Sequence, residues 1–160
     1  MTRRDDLREI DRALHRITRI GRGRTAAALR ASRSGVDLTR TGVAVLAALV
    51  QRGALRPTAL AEHADAEPAI VTREMRVLTA QGFVRSEPDP SDGRARLIEI
   101  TDRGRAAFGR YRDAIDEIIA ETFSKWSASE LADLRQTLER VAEDFARPSA
   151  SRGDRSNHGR

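Results

Sequence analysis

Apolar residues recur every three or four positions through Leu7, Ile10, Leu14, Ile17 and Ile20, the spacing of one face of a helix that advances about 100° per residue. Gly21 and Gly23 weaken the pattern and Ala26-Ala27-Ala28-Leu29 restores it. The expected element is one long, bent helix to Ser32, stopped by Ser34-Gly35. Thr39 then stands where an N-cap belongs, ahead of a mostly buried helix with Val43, Val45, Leu46, Leu49 and Val50 that ends at Gly53. Gly42 predicts a loose first turn in it, because Gly is a poor helix former. Arg56-Pro57-Thr58 opens a short helix, with Thr58 as the expected cap and Leu60 and Ala64 facing inward. After a turn at Asp65-Ala66-Glu67 comes a helix that opens at Pro68, stops at Gly82, and buries Val71, Met75 and Leu78.

The period then changes. Phe83-Val84-Arg85 reads as a short strand, Pro88-Asp89-Pro90-Ser91-Asp92-Gly93 as a turn, and Arg94 to Ile100 as a second strand. Thr101 restarts a long helix with Phe108, Tyr111, Ile115, Ile118, Ile119, Thr122 and Trp126 on one broad side. Ser127 and Glu130 have the spacing of a capping box, and Leu131, Leu134, Leu138, Val141 and Phe145 follow as a coiled-coil-like seam. Such a seam is more often dimer or bundle core than a cofactor site. Pro148 ends this helix, and Ser149 to Arg160 reads as a disordered basic tail.

The helix from Pro68 carries Ala69, Thr72, Arg73 and Arg76 opposite its apolar side. One small residue, one hydroxyl and two guanidiniums on adjacent turns can approach a groove closely, bond phosphate oxygens, and offer paired donors to guanine N7 and O6. The competing reading is an ordinary amphipathic helix with a solvated arginine face. The hairpin weighs against it, since its turn exposes Asp92-Gly93-Arg94, and an arginine on a protruding ribbon suits a narrow, electronegative minor groove.

In this order the residues resemble the MarR-type winged-helix regulators. The matching stretches are Leu60-Ala61, Pro68 to Leu78, Gly82-Phe83-Val84-Arg85, Asp89 to Ala95, and Leu97 to Gly104 with its Leu-x-x-x-Thr-x-x-Gly pattern. The resemblance implies a mainly α fold with a small β-hairpin wing. A winged helix-turn-helix lobe over 38–104 would be joined to a helical dimerisation lobe made of 1–34 and 105–147, with 148–160 as the tail. It implies a homodimer that presents two recognition helices to a palindromic operator in double-stranded DNA. Thr72, Arg73 and Arg76 would then enter the major groove and Arg94 the minor groove, with Asp92 bracing the wing and Arg96 meeting a phosphate at most. The helix N-terminus at Thr58 would hold a phosphate through free amides, or Thr58 would be a simple cap. Glu67 departs from the pattern, which usually has Ser or Thr there. Its carboxylate suits the helix dipole but repels phosphate. The resemblance also implies a small-molecule effector, often an aromatic or phenolic acid. His15, Arg16 and Arg19 are candidate contacts for it, against the plainer reading of His15 as a packing residue.

Composition narrows the choice. With 33% charged and 4% aromatic residues in 160, a lone chain has a thin core, and burying long helices against a second copy would compensate. The absence of cysteine excludes disulfides and thiolate sites. No run approaches the roughly 20 apolar residues of a membrane span, and the arginine-rich start lacks the apolar core of a signal peptide. A cytoplasmic protein with no membrane partner and no cofactor is therefore expected. His15, His63 and His158 have no metal-ligand spacing, and no nucleophile elbow, phosphate loop or carboxylate pair is present, so an enzyme is not expected.

The net charge of +5 suits a polyanion, but it is unevenly spread. Residues 67–105 balance seven arginines against seven acids, whereas 1–39 hold ten arginines against five. DNA binding must then rest on where side chains point. The alternative class is a helical dimerisation or adaptor protein whose winged helix binds another protein.

Overall fold

The computed structural model describes residues 2–147. Its elements are α1 (Arg3–Arg22), α2 (Arg24–Ser34), α3 (Arg40–Arg52), α4 (Pro57–His63), α5 (Pro68–Ala80), β1 (Val84–Asp89), β2 (Asp92–Ile100), α6 (Asp102–Thr122) and α7 (Ala128–Ala146). The mainly helical architecture with one antiparallel hairpin is the one expected. The chain divides into two compact units, Met1–Ile118 and Ile119–Arg160.

In the first unit, Val45, Leu46 and Leu49 of α3, Leu60 of α4, and Val71 and Leu78 of α5 close over Phe83, just before the hairpin, and over Val84, Ile98 and Ile100 within it. Leu46, Leu49, Leu60 and Leu78 are wholly shielded, and burial of each such side chain contributes about 1.5–3 kcal/mol before ordering costs. The strands pair from Val84 with Ile100 to Pro88 with Arg96, then slip so that Asp89 faces Asp92. Alternation along β2 buries Ile98 and Ile100 and leaves Arg94 and Arg96 outside.

Several expectations are corrected. The single N-terminal helix is two, because Gly23 leaves helical geometry at ψ 155°. The Arg30 guanidinium donates to the Gly21 carbonyl at 3.2 Å across the break. Thr58 is not the cap of α4: Arg56 occupies that position and Pro57 opens the helix, where its missing N–H costs nothing. The turn is shorter than Pro88–Gly93, since the strands run on to Asp89 and resume at Asp92.

The first turn of α3 is not loose, for the Thr39 hydroxyl accepts from the Gly42 amide at 2.9 Å. A Cβ on Gly42 would stand 2.5 Å from the Glu74 carboxylate, the end of a flexible side chain that would have to shift aside. Trp126 lies beyond the end of α6, edge-on to Phe123 at 5.2 Å. Of the broad side expected for α6, Tyr111 is buried with Ala107 and Ala114, whereas Ile119 and Trp126 are exposed. A bridge that periodicity does not reveal joins Leu55 to Ile98, with N···O distances of 3.0 and 2.8 Å.

In the second unit, Glu130 accepts from the Ser127 amide at 2.8 Å and from its hydroxyl at 2.7 Å, completing the expected capping box of α7. These bonds hold the Glu130 carboxyl below its ordinary range. No residue of α7 is buried, and Leu131, Leu138 and Phe145 are exposed. α1 likewise buries nothing and shows Leu7, Ile10, Ile17 and Ile20 to solvent. The expected stop at Pro148 and the tail lie outside the described residues.

Candidate nucleic-acid interface

The turn between α4 and α5 is tight. The Ala66 amide donates to the Ala61 carbonyl at 3.2 Å, and Asp65 takes φ 47°, a left-handed conformation that Asp tolerates better than most residues. α5 leaves this turn with Val71, Glu74 and Leu78 inward. Ala69, Thr72, Arg73 and Arg76 are all exposed, on the side the sequence assigns them. Among the described residues, neither Arg73 nor Arg76 has a side-chain hydrogen bond or ion pair, so both guanidiniums are available to an outside acceptor. The Thr72 hydroxyl is different, because it donates to the Pro68 carbonyl of its own helix at 2.8 Å.

The N-terminal end of α5 is acidic. Glu62, Asp65 and Glu67 line an open cleft with Thr58, Ala61 and Pro68, and Glu67 makes no capping bond with its side chain. Thr58 is exposed beside these carboxylates, which oppose a phosphate at this edge.

Three arginines on the hairpin and one just past it sort themselves by partner. Arg85 is tied across the strands to Glu99 at 2.7 and 3.0 Å. Its hydrogen bond to Glu99, with that carboxylate's charge, raises its pKa above the ordinary arginine value. Arg96 straps back onto β1, its guanidinium donating to the Ser86 hydroxyl at 2.8 Å and the Ser86 carbonyl at 2.6 Å. Arg103, just past the hairpin, stacks 5.9 Å from the Phe83 ring. Arg94 donates only its backbone amide, to the Asp92 carboxylate at 3.1 Å. Asp92 thus braces the turn, and among the described residues the Arg94 guanidinium has no partner.

The hairpin is anchored by residues not singled out in the sequence. The Asp89 carboxylate is 7% exposed and accepts from Arg56 Nε and Nη2 at 2.9 and 2.6 Å. Its other oxygen accepts from the Ser91 amide at 2.8 Å and the Ser91 hydroxyl at 2.6 Å. These Ser91 bonds first, then Arg56, hold the carboxyl down to about 2. The signal available was the Asp-Pro-Ser run, in which an Asp side chain bonds the amide two residues on. Arg56, 33 positions away, had none. Because the folded value lies below the ordinary one, this anchor stabilises the fold above pH about 4 and loses that contribution as pH falls toward 2. Denaturant titration of wild type against Asp89→Asn is expected to show a stability gap that is constant above pH 4 and narrows below it.

The candidate effector residues all lie on α1. His15 Nε2 is 3.5 Å from Asp11, and Arg16 and Arg19 are exposed. Among the described residues no group of three or more His, Cys, Asp or Glu is placed to hold a metal ion. No described helix is long and apolar enough to cross a membrane.

The model of the MarR family matches residues 38–95, which hold α3, the helix-turn-helix and most of the hairpin. An HTH-type transcriptional regulator of Mycobacterium bovis is 32% identical over 97 residues, 61% of this chain and 68% of its own. The crystal structure of a probable transcriptional regulator from Pseudomonas aeruginosa is 30% identical, covers 72% of this chain and 86% of its own, and superposes with a TM-score of 0.59. A MepR-like protein crystallised with pseudoligands is 27% identical, covers 88% of this chain and 94% of its own, and gives a TM-score of 0.55.

Proposed function

This chain belongs to the MarR family of transcriptional regulators, and we propose that it works as a homodimer that represses transcription by holding a palindromic operator in duplex DNA. The observation that carries this reading is that the guanidiniums of Arg73 and Arg76 on α5 and of Arg94 on the wing tip are exposed and, among the described residues, without partners. α5 enters the major groove by its Ala69, Thr72, Arg73 and Arg76 side, and Arg94 reaches the adjacent minor groove. Arg96 stays on Ser86. Thr58 takes at most a peripheral part, because the carboxylates beside it repel phosphate.

Pairing of two chains is supported by the apolar faces of α1 and α7, whose Leu7, Ile10, Ile17, Ile20, Leu131, Leu138 and Phe145 are exposed. Two-fold symmetry of such a pair matches inverted half-sites one helical turn apart. Release by a small anionic ligand is the further part of the reading. The exposed His15, Arg16 and Arg19 of α1 support it, as does the MepR-like relative seen with pseudoligands. Selection of bound duplexes from a random pool by the purified chain is the test. The expected product is an inverted repeat with half-sites about 10 base pairs apart. A pool that emerges without any consensus would sink the proposal and favour a winged helix that binds protein.

A further inference from the structure

We infer that α5 reads the 5-methyl group of a thymine through the methyls of Thr72 and Ala69, beside a purine contacted by Arg73 or Arg76. The inference deepens the operator reading and rests on α5 entering the major groove.

A threonine facing DNA has two things to offer, a hydroxyl and a methyl on the same Cβ. In this helix the hydroxyl's one proton is already used, for Thr72 Oγ1 donates to the Pro68 carbonyl at 2.8 Å. Its proton is turned along α5, and the methyl is the branch that the exposed side chain has left to present. Ala69 stands one turn earlier on the same side, also exposed, and presents nothing but a methyl. The two make a small apolar step flanked by the guanidiniums of Arg73 and Arg76. Against a phosphate or a base acceptor such a step would leave polar atoms without partners. The floor of the major groove holds one apolar feature, the thymine C5-methyl, and Ala or Thr methyls are its natural complement. Donation by the Thr72 hydroxyl to a phosphate or a base acceptor would first have to break its bond to Pro68.

The experiment uses the full-length protein and the duplex selected as its operator, made once with thymine and once with uracil at every thymine position. Wild type is compared with Thr72→Val, which keeps the shape and the methyl, and Thr72→Ser, which keeps the hydroxyl. Position 72 is exposed, so both variants keep the fold. Wild type is expected to bind the uracil duplex about fourfold more weakly per half-site, the worth of one buried methyl. Thr72→Val is expected to match wild type on both duplexes. Thr72→Ser is expected to weaken on the thymine duplex by a similar factor and to show a smaller penalty for uracil.

Loss of binding in Thr72→Val with Thr72→Ser unaffected would overturn the inference, because the hydroxyl would then be the contact. Equal wild-type affinity for the two duplexes, or a uracil penalty undiminished in Thr72→Ser, would overturn it as well. All three outcomes leave the operator reading standing. Failure of that reading is distinct: no variant, wild type included, would prefer one duplex sequence over another, and the inference would fall with it.

Discussion

Gly104→Ala is expected to destabilise the protein by about 1–3 kcal/mol, the usual cost of forcing a methyl into a packed site. Helix propensity alone predicts the opposite sign, since Ala is favoured over Gly inside a helix by roughly 0.8–1.0 kcal/mol. Sterics decide the matter. A Cβ on Gly104 would overlap the Phe83 carbonyl oxygen and stand 2.8 Å from the Phe83 carbonyl carbon and 2.9 Å from Ile100 Cγ1. None of these is the free end of a flexible side chain. The Phe83 carbonyl accepts from the Thr101 amide at 3.0 Å and from its hydroxyl at 3.2 Å, so displacing it breaks the joint between the wing and α6. Gly109, also in α6, is the control, because a Cβ there meets nothing within 4 Å. Thermal and denaturant melts should show Gly109→Ala unchanged or slightly stabilised and Gly104→Ala clearly weakened. Equal effects at the two positions would mean that the wing and α6 do not meet as described.

The second large effect is on DNA. Replacing both Arg73 and Arg76 by Ala is expected to cost about 1–3 kcal/mol per base-reading arginine and to flatten the preference for the selected operator over scrambled duplex. Arg96→Ala provides the contrast. Its guanidinium is held by Ser86, and its removal should leave operator affinity within about twofold, as for a residue with no role in the contact. Competition anisotropy with operator and scrambled duplexes measures both. A double variant that keeps its sequence preference would remove α5 from the role of reader.

Much of this layout was legible before any coordinates. Helical spacing separated Val71 and Leu78 from Ala69, Thr72, Arg73 and Arg76, and the structure keeps them on opposite sides of α5. Local punctuation did equally well, since Gly35, Gly53 and Gly82 all take positive φ where helices stop. Membership in a family of transcription regulators also agrees with the expectation of no enzyme, which rested on missing catalytic constellations.

What escaped the sequence was non-local. The clamp of Arg56 on Asp89 and the bridge of Leu55 to Ile98 join segments more than 30 positions apart, and no periodicity encodes such pairs. The neighbour of Gly42 was equally hidden, since it is the Glu74 carboxylate on another helix. The one-helix expectation for the N-terminus failed for a subtler cause. A weak Gly in a helix and a Gly that breaks one look alike in sequence, and here Gly23 breaks it. Arg94 and Arg96 likewise have the same side chain two positions apart, and only the Ser86 acceptors on β1 tell the free one from the tied one.

The most direct measurement is the salt dependence of binding between wild-type protein and its selected duplex, repeated with Arg94→Ala. Guanidiniums that displace counterions from phosphates give a log–log slope of roughly −0.9 for each phosphate neutralised. The expected result is a steep decline for wild type, several such units in all, and a shallower one with weaker binding for Arg94→Ala. An affinity that stays flat from low to moderate salt, or two proteins that trace the same line, would contradict the claim that the free arginines of α5 and the wing tip hold this protein on DNA.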